Sequence, residues 1–267
     1  MSVHSTPQGE VTVNALAAMK RKRQAIAAMT AYDASFARLL DEAGIDVVLV
    51  GDSLGMVIQG HDTTLPVTVD DMVYHARCVR RGLRRALLMV DLPFLSFSDP
   101  EVAVASAGRM VKEAGAQMVK LEGGGGQADA VARLSACGIP VCAHLGLQPQ
   151  SVHKLGGYRM QGRDEAAARA MVADALALEE AGADAVLLEC VPATLGEEIA
   201  QNLRVPVIGI GSGAGCDGQI LVLHDAIGVS ARSPGFARNF LASAGGVGDA
   251  MAAYVADVRA RRFPASD

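Results

Sequence analysis

Short apolar runs recur along the chain, and the stretches between them repeat at helical spacing. Three runs begin at the same kind of junction: Ala43-Gly44-Ile45-Asp46-Val47-Val48-Leu49-Val50, Ala114-Gly115-Ala116-Gln117-Met118-Val119-Lys120-Leu121 and Ala181-Gly182-Ala183-Asp184-Ala185-Val186-Leu187-Leu188. Cys137-Gly138-Ile139-Pro140-Val141 is a looser copy. A glycine just past a helical turn closes the helix in the left-handed conformation, and the β-branched and leucine run after it reads as a strand buried on both faces. This pattern predicts strands near 25–29, 46–50, 86–90, 117–121, 140–143, 184–188 and 206–210, with an eighth near 220–223. Helices are predicted near 34–43, 68–84, 99–114, 127–137, 164–181 and 194–202.

Strands alternating with helices imply a parallel sheet. About eight such units in 267 residues fit a closed (β/α)8 TIM-type barrel, an α/β fold, better than the alternative of an open doubly wound sheet. Residues 11–20 suit an extra N-terminal helix capped by Thr12 or Asn14, and residues 246–262 a C-terminal one. No linker divides the chain, so residues 1–267 are expected to form a single barrel domain. The basic run Lys20–Arg23 is expected to be solvated charge at a helix end.

In a βα barrel the C-terminal strand ends face the active site, which singles out the polar residues that close or succeed the apolar runs. These are Asp52 and Ser53, Asp91, Lys120 and Glu122, His144, and Glu189. Asp52, Asp91 and Glu122 make a hard-oxygen set of the kind Mg²⁺ takes. The plainer reading is that each acid caps a helix or neutralises a basic neighbour. Lys120 lies inside an apolar run and needs carboxylates or an anionic substrate beside it, because an unpaired buried ammonium is costly. Glu189 is placed where burial would fit it for general-base work, the alternative being a mutual ion pair. His144 is expected to be the one pocket histidine, with His61, His75 and His153 ordinary surface or core residues.

Composition narrows the function classes. Apolar residues make up 51%, aromatics only 4%, tryptophan is absent and 29 residues are glycine, which suits close helix-on-sheet packing. A net charge of −5 and a pI near 5.7 argue against a nucleic-acid partner. Neither a basic-then-apolar leader nor a run near the roughly 18 apolar residues of a membrane span is visible, so a cytoplasmic location is expected. Five cysteines without metal-ligand spacing read as buried thiols. Gly213–Gly218 matches GxGxxG but leads into a strand-like run, which excludes a dinucleotide fingerprint, and Gly123–Gly126 reads as a strand-to-helix turn rather than a phosphate cradle.

Several blocks together closely resemble the ketopantoate hydroxymethyltransferase family. They are Thr30-Ala31-Tyr32-Asp33, Gly51-Asp52-Ser53-Leu54-Gly55-Met56-Val57, Asp91-Leu92-Pro93-Phe94, Val119-Lys120-Leu121-Glu122-Gly123-Gly124, His144-Leu145-Gly146-Leu147, Gly156-Gly157-Tyr158, Leu188-Glu189-Cys190-Val191-Pro192 and Cys216-Asp217-Gly218-Gln219. They run in the family's order from about residue 10 to 264. Leu92, Ala143 and Gln148 stand where the family often has Met, Gly and Thr, and no charged group is changed. The resemblance implies a Mg²⁺-binding barrel that transfers a one-carbon unit from 5,10-methylenetetrahydrofolate to 3-methyl-2-oxobutanoate, giving 2-dehydropantoate on the way to pantothenate and coenzyme A. It implies Asp52 and Asp91 as metal ligands in contact with substrate, with Glu122 in or near that shell. Ser53 and Lys120 would hold the substrate carboxylate and keto oxygen, Glu189 would accept the proton, and His144 would line the substrate pocket. It also implies a homo-oligomer, typically a decamer in the family. A Mg²⁺-dependent 2-oxo acid lyase or mutase, and a non-catalytic 2-oxo acid sensor, are the competing readings.

Overall fold

The computed structural model describes residues 9–230 and 232–265. Eight strands form a closed barrel in sequence order, with every pairing parallel. They are β1 (Ile26–Thr30), β2 (Val47–Val50), β3 (Leu87–Asp91), β4 (Met118–Glu122), β5 (Val141–Gly146), β6 (Ala185–Glu189), β7 (Val207–Ile210) and β8 (Gly218–Leu221). Around and between them lie α1 (Val13–Arg21), α2 (Ala34–Ala43), α3 (Leu54–Val57), α4 (Val69–Gly82), α5 (Pro100–Ala114), α6 (Ala128–Ala136), α7 (Val152–Leu155), α8 (Glu165–Glu180), α9 (Ala193–Asn202), α10 (Leu223–Ala226) and α11 (Val247–Arg259). The predicted TIM-type barrel is therefore the observed fold. At two of the predicted junctions, Gly44 (φ 91°) and Gly115 (φ 73°) occupy the left-handed cap that ends α2 and α5.

Alternation along the strands divides the core. One face of each strand packs outward against the helices. The other fills the lumen with Ile26, Val47, Leu49, Leu87, Met89, Met118, Cys142, Leu187 and Ile208. Val11 and Leu16, from the segment before β1, join this inner layer where the strands begin, so α1 stops that end of the barrel. Full burial of such a side chain is worth about 1.5–3 kcal/mol. On the outside, the buried hydroxyl of Tyr254 in α11 lies 2.9 Å from the carbonyls of both Ala28 and Gln219, tying the last helix to the β1–β8 seam.

Some expectations are corrected. The eighth strand begins at Gly218 rather than near residue 220, because its register is set by pairing of Gly218 with Ile26 and of Gln219 with Ala27, not by its own apolar content. Thr12, not Asn14, caps α1, accepting from the Ala15 amide at 3.1 Å. Lys20 is not a solvated charge: its ammonium donates to Asp217 at 2.6 Å and to the Ala200 carbonyl at 2.7 Å. Of the five cysteines only Cys142 and Cys216 are buried, while Cys78 and Cys190 are partly exposed and Cys137 exposed. The glycine run 123–126 is a turn pinned by Asp174, which accepts from the Gly125 amide.

Candidate active site

The same alternation that fills the lumen with apolar side chains carries polar ones at its upper end. In β3 the inward series is Leu87, Met89, Asp91; in β4 Met118, Lys120, Glu122; in β5 Cys142, His144; in β6 Ala185, Leu187, Glu189. Register then sets the neighbours, pairing Asp91 with Lys120 and Glu122 with His144. Asp52 and Ser53 come after the end of β2, in the turn that opens α3. All seven predicted residues line one cavity of about 1080 Å³. Asp52, Asp91, Lys120, Glu122 and His144 are each at most 5% exposed, whereas the Glu189 side chain is 18% exposed and reaches into the cavity.

The Lys120 ammonium lies 2.9 Å from Asp91 Oδ1 and 3.1 Å from His144 Nδ1. The contact with Asp91 is a close ion pair, but its angles leave Oδ1 without a directed hydrogen bond. Asp91 Oδ2 accepts instead from the Asp52 amide at 3.0 Å, which fixes the turn after β2 against β3. An ammonium has only donors, so His144 Nδ1 accepts and the ring proton is assigned to Nε2. Glu122 Oε1 is farther from Nδ1, at 3.6 Å, and beyond hydrogen-bond reach. Nε2 approaches Glu189 Oε2 at 3.4 Å without hydrogen-bond alignment, which leaves the Glu189 carboxylate free to take another partner. The Ser53 hydroxyl shares a 2.9 Å hydrogen bond with the Tyr32 hydroxyl.

Three buried carboxylates face one buried ammonium, an excess of negative charge. Burial, reinforced by repulsion from Asp91 and Glu122, pushes Asp52 well above the usual carboxylate range. Burial also raises Asp91, against the opposing pull of Lys120. Burial disfavours the Lys120 cation, but Asp91, Glu122 and Asp52 outweigh it and hold the ammonium above its ordinary value. Glu122 is lowered despite burial, because the Lys120 charge and the hydrogen bond from the Gln150 amide stabilise its carboxylate. A divalent cation suits this arrangement: the donors are hard oxygens, their charge is uncompensated, and Asp91 Oδ1 and Glu122 Oε1 are buried without hydrogen-bond partners. Among the described residues, however, no three His, Cys, Asp or Glu side chains are gathered closely enough to hold a metal alone. Glu122 Oε2 is engaged by the Gln150 amide at 2.9 Å, so Asp52 and Asp91 are the better direct donors and Glu122 stands beside them.

Residue-by-residue reading missed several groups. Gln150 is buried; its side-chain amide donates to Asp52 Oδ2 at 2.9 Å and to the Leu92 carbonyl at 3.0 Å, so it orients the first carboxylate. Tyr32 reaches Ser53, and its membership of a family-like block was the only signal for it. His144 is not the sole pocket histidine, since His61 and His224 line the same cavity. His75 and His153 stay outside it; His75 Nδ1 lies 2.7 Å from the Tyr32 carbonyl and braces the wall.

Comparison with known proteins adds a family. A 3-methyl-2-oxobutanoate hydroxymethyltransferase from Halorhodospira halophila is 62% identical over 96% of this chain and 93% of its own length. Another, from Alkalilimnicola ehrlichii, is 60% identical over 95% and 92%. Among solved structures, a phosphonopyruvate hydrolase in complex with oxalate and Mg²⁺ superposes with a TM-score of 0.60 at 17% identity, covering 81% of this chain and 83% of the other, a likeness of fold. The sequence profile of the family described as ketopantoate hydroxymethyltransferase matches residues 10–266. This chain, an enzyme with its polar lumen at the C-terminal mouth of a (β/α)8 barrel, belongs to the ketopantoate hydroxymethyltransferase family.

Proposed function

We propose that the protein transfers a hydroxymethyl group from 5,10-methylenetetrahydrofolate to 3-methyl-2-oxobutanoate, with uptake of water, giving 2-dehydropantoate and tetrahydrofolate, the entry to pantothenate synthesis. The observation that carries this reading is the convergence of Asp52, Ser53, Asp91, Lys120, Glu122, His144 and Glu189 on one cavity. Membership of the family supports the choice of substrate.

Asp52 and Asp91 would hold Mg²⁺, with Glu122 beside them. When bound, that ion supplies electrophilic stabilisation of negative charge on the substrate's carboxylate and keto oxygens. The Ser53 hydroxyl and the Lys120 ammonium bind and orient the 2-oxo acid. Lys120, already held cationic by its carboxylate neighbours, lies where the keto oxygen gains charge as C3 loses its proton. Glu189 accepts that proton. Its carboxylate faces the cavity, more exposed than the other acids and without a hydrogen bond that would have to be broken first. The folate's methylene carbon loses both of its carbon–nitrogen bonds, the first on ring opening to an iminium and the second after water adds to that carbon, which leaves as formaldehyde. The C3 carbanion equivalent adds to the formaldehyde carbon, and the water-derived oxygen, once protonated, is the new hydroxyl. His144 accepts from Lys120 and lies between that cation and Glu189, where it orients the ammonium.

The test is NMR analysis of purified protein with Mg²⁺ and 3-methyl-2-oxobutanoate, with and without 5,10-methylenetetrahydrofolate. The expected result is 2-dehydropantoate only when the folate is present. Cleavage or rearrangement of the 2-oxo acid without folate would assign a lyase or mutase instead.

A further inference from the structure

The cavity is far larger than a branched five-carbon acid fills, and the Asp52–Glu189 cluster lines only part of it. The remainder is an arm built from β8 and the residues after it, including Val222, His224, Asp225, Val229 and Phe236. This arm holds the cavity's fourth buried carboxylate, and although Arg232 lines the same cavity, no salt bridge to that carboxylate is made among the described residues. Asp225 is 7% exposed, and Ser230 and Ser233 line the cavity with it. A carboxylate has about four lone-pair sites, which leaves room for two donors from a ligand. Beside it, His224 Nδ1 is buried without a partner. Burial lowers the His224 pKa, keeping the ring neutral, so it does not serve as the missing cation.

We propose that this arm takes the pterin of the one-carbon donor, with the Asp225 carboxylate receiving the paired N–H donors of its 2-amino-4-oxopyrimidine edge. This rests on the transferase reading. Two adjacent N–H donors on a flat, neutral ring match a carboxylate's two oxygens, and such a ligand needs no counter-cation in the site. Phe236 and Val229 supply apolar wall for the ring faces. His224 offers one further polar contact, its ring centroid 5.5 Å from that of Tyr32. Tyr32 in turn bonds Ser53, and the Leu223 amide donates to Thr30 Oγ1 at 2.9 Å. The arm is thus fastened to the side of the barrel that holds the 2-oxo acid, and a donor seated there projects its methylene carbon toward C3.

Isothermal titration of tetrahydrofolate, which binds but cannot react, tests the assignment with wild type, Asp225→Asn, Asp225→Ala and Val229→Trp. Val229 is 63% exposed, so a tryptophan there narrows the arm without disturbing the core. Loss of hydrogen bonds to a charged group predicts a Kd raised roughly tenfold to a hundredfold in the Asp225 variants. The Val229 variant should weaken binding in the same direction, while affinity for 3-methyl-2-oxobutanoate with Mg²⁺ moves by less than roughly threefold in any of them. Unchanged tetrahydrofolate affinity in Asp225→Asn and Val229→Trp overturns the proposal. So does an equal loss for both ligands, which is what a merely structural role gives. Failure of the transferase reading appears in the wild type instead, as tetrahydrofolate bound without product formed from the methylene donor.

Discussion

Replacing Gln150 with leucine tests whether the carboxylates are organised for a cation. The side-chain amide makes one hydrogen bond to the charged Asp52 and one to the Leu92 carbonyl, and leucine of similar size makes neither. The bond to a charged acceptor is worth about 1.5–3 kcal/mol and the neutral one about 1 kcal/mol, part of which the added apolar burial restores. The backbone amide of residue 150 still donates to Glu122, so that contact survives. What is lost is the restraint on Asp52: about 1.4–2.8 kcal/mol of orientation amounts to a tenfold to hundredfold weaker hold on the metal. Mg²⁺ titrated into purified protein, read as the metal concentration giving half-maximal exchange of the substrate C3 proton with D2O, should show that displacement. Urea unfolding without metal should change by no more than about 1–2 kcal/mol. A Mg²⁺ midpoint within roughly threefold of wild type would refute the positioning role of Gln150.

Other perturbations have outcomes set by the same contacts. Asp52→Ala and Asp91→Ala should each abolish measurable Mg²⁺ binding by calorimetry, and retention of affinity in both would remove them as ligands. Asp46, 2% exposed, accepts from Arg259, Arg85 and the Ala27 amide at the start of the barrel. Since both arginines are about one-third exposed and turn to water when released, Asp46→Ala should cost about 3 kcal/mol in urea unfolding, mostly through the stranded Ala27 amide and the lost tie to α11. Thr68→Ala should cost about 1 kcal/mol at neutral pH by breaking the box that caps α4. Burial raises the Asp71 pKa, but the hydrogen bonds from Thr68, helped by Gln59 and His75, together outweigh it and lower the pKa in the folded protein. That part of the stabilisation is therefore present above the ordinary 3.8 and is lost as pH falls through the lower folded value, so the gap between the two proteins should narrow in strong acid without closing, because the Asp71 amide still bonds Thr68 Oγ1 there.

The barrel was legible because its cause is local. Gly44 and Gly115 terminate helices where the chain must turn, and strands buried on both faces appear as unbroken apolar runs. The acids, lysine and histidine at the strand ends were legible because a charged residue such as Lys120 inside an apolar run needs a reason. Groups that act through long-range closure were not. Gln150 sits in a polar loop 98 positions from Asp52, and Lys20 finds Asp217 across 197, so neither pairing leaves a periodic trace. The start of β8 was hidden for the same reason, since Gly218 and Gln219 are strand only because β1 pairs with them. His224 and Asp225 lie in a short helix without amphipathic length, and only barrel closure brings them beside Tyr32 and the cavity.

The central claim, that this barrel mouth removes the C3 proton of a 2-oxo acid with Glu189 as acceptor, is tested most directly by tracking that proton. Purified protein, Mg²⁺ and 3-methyl-2-oxobutanoate are incubated in D2O without folate, and the C3 signal is recorded by NMR for wild type and Glu189→Gln, with Mg²⁺ affinity measured in parallel. Wild type should exchange the proton and Glu189→Gln should not, although it still binds Mg²⁺. Undiminished exchange in Glu189→Gln would contradict the account.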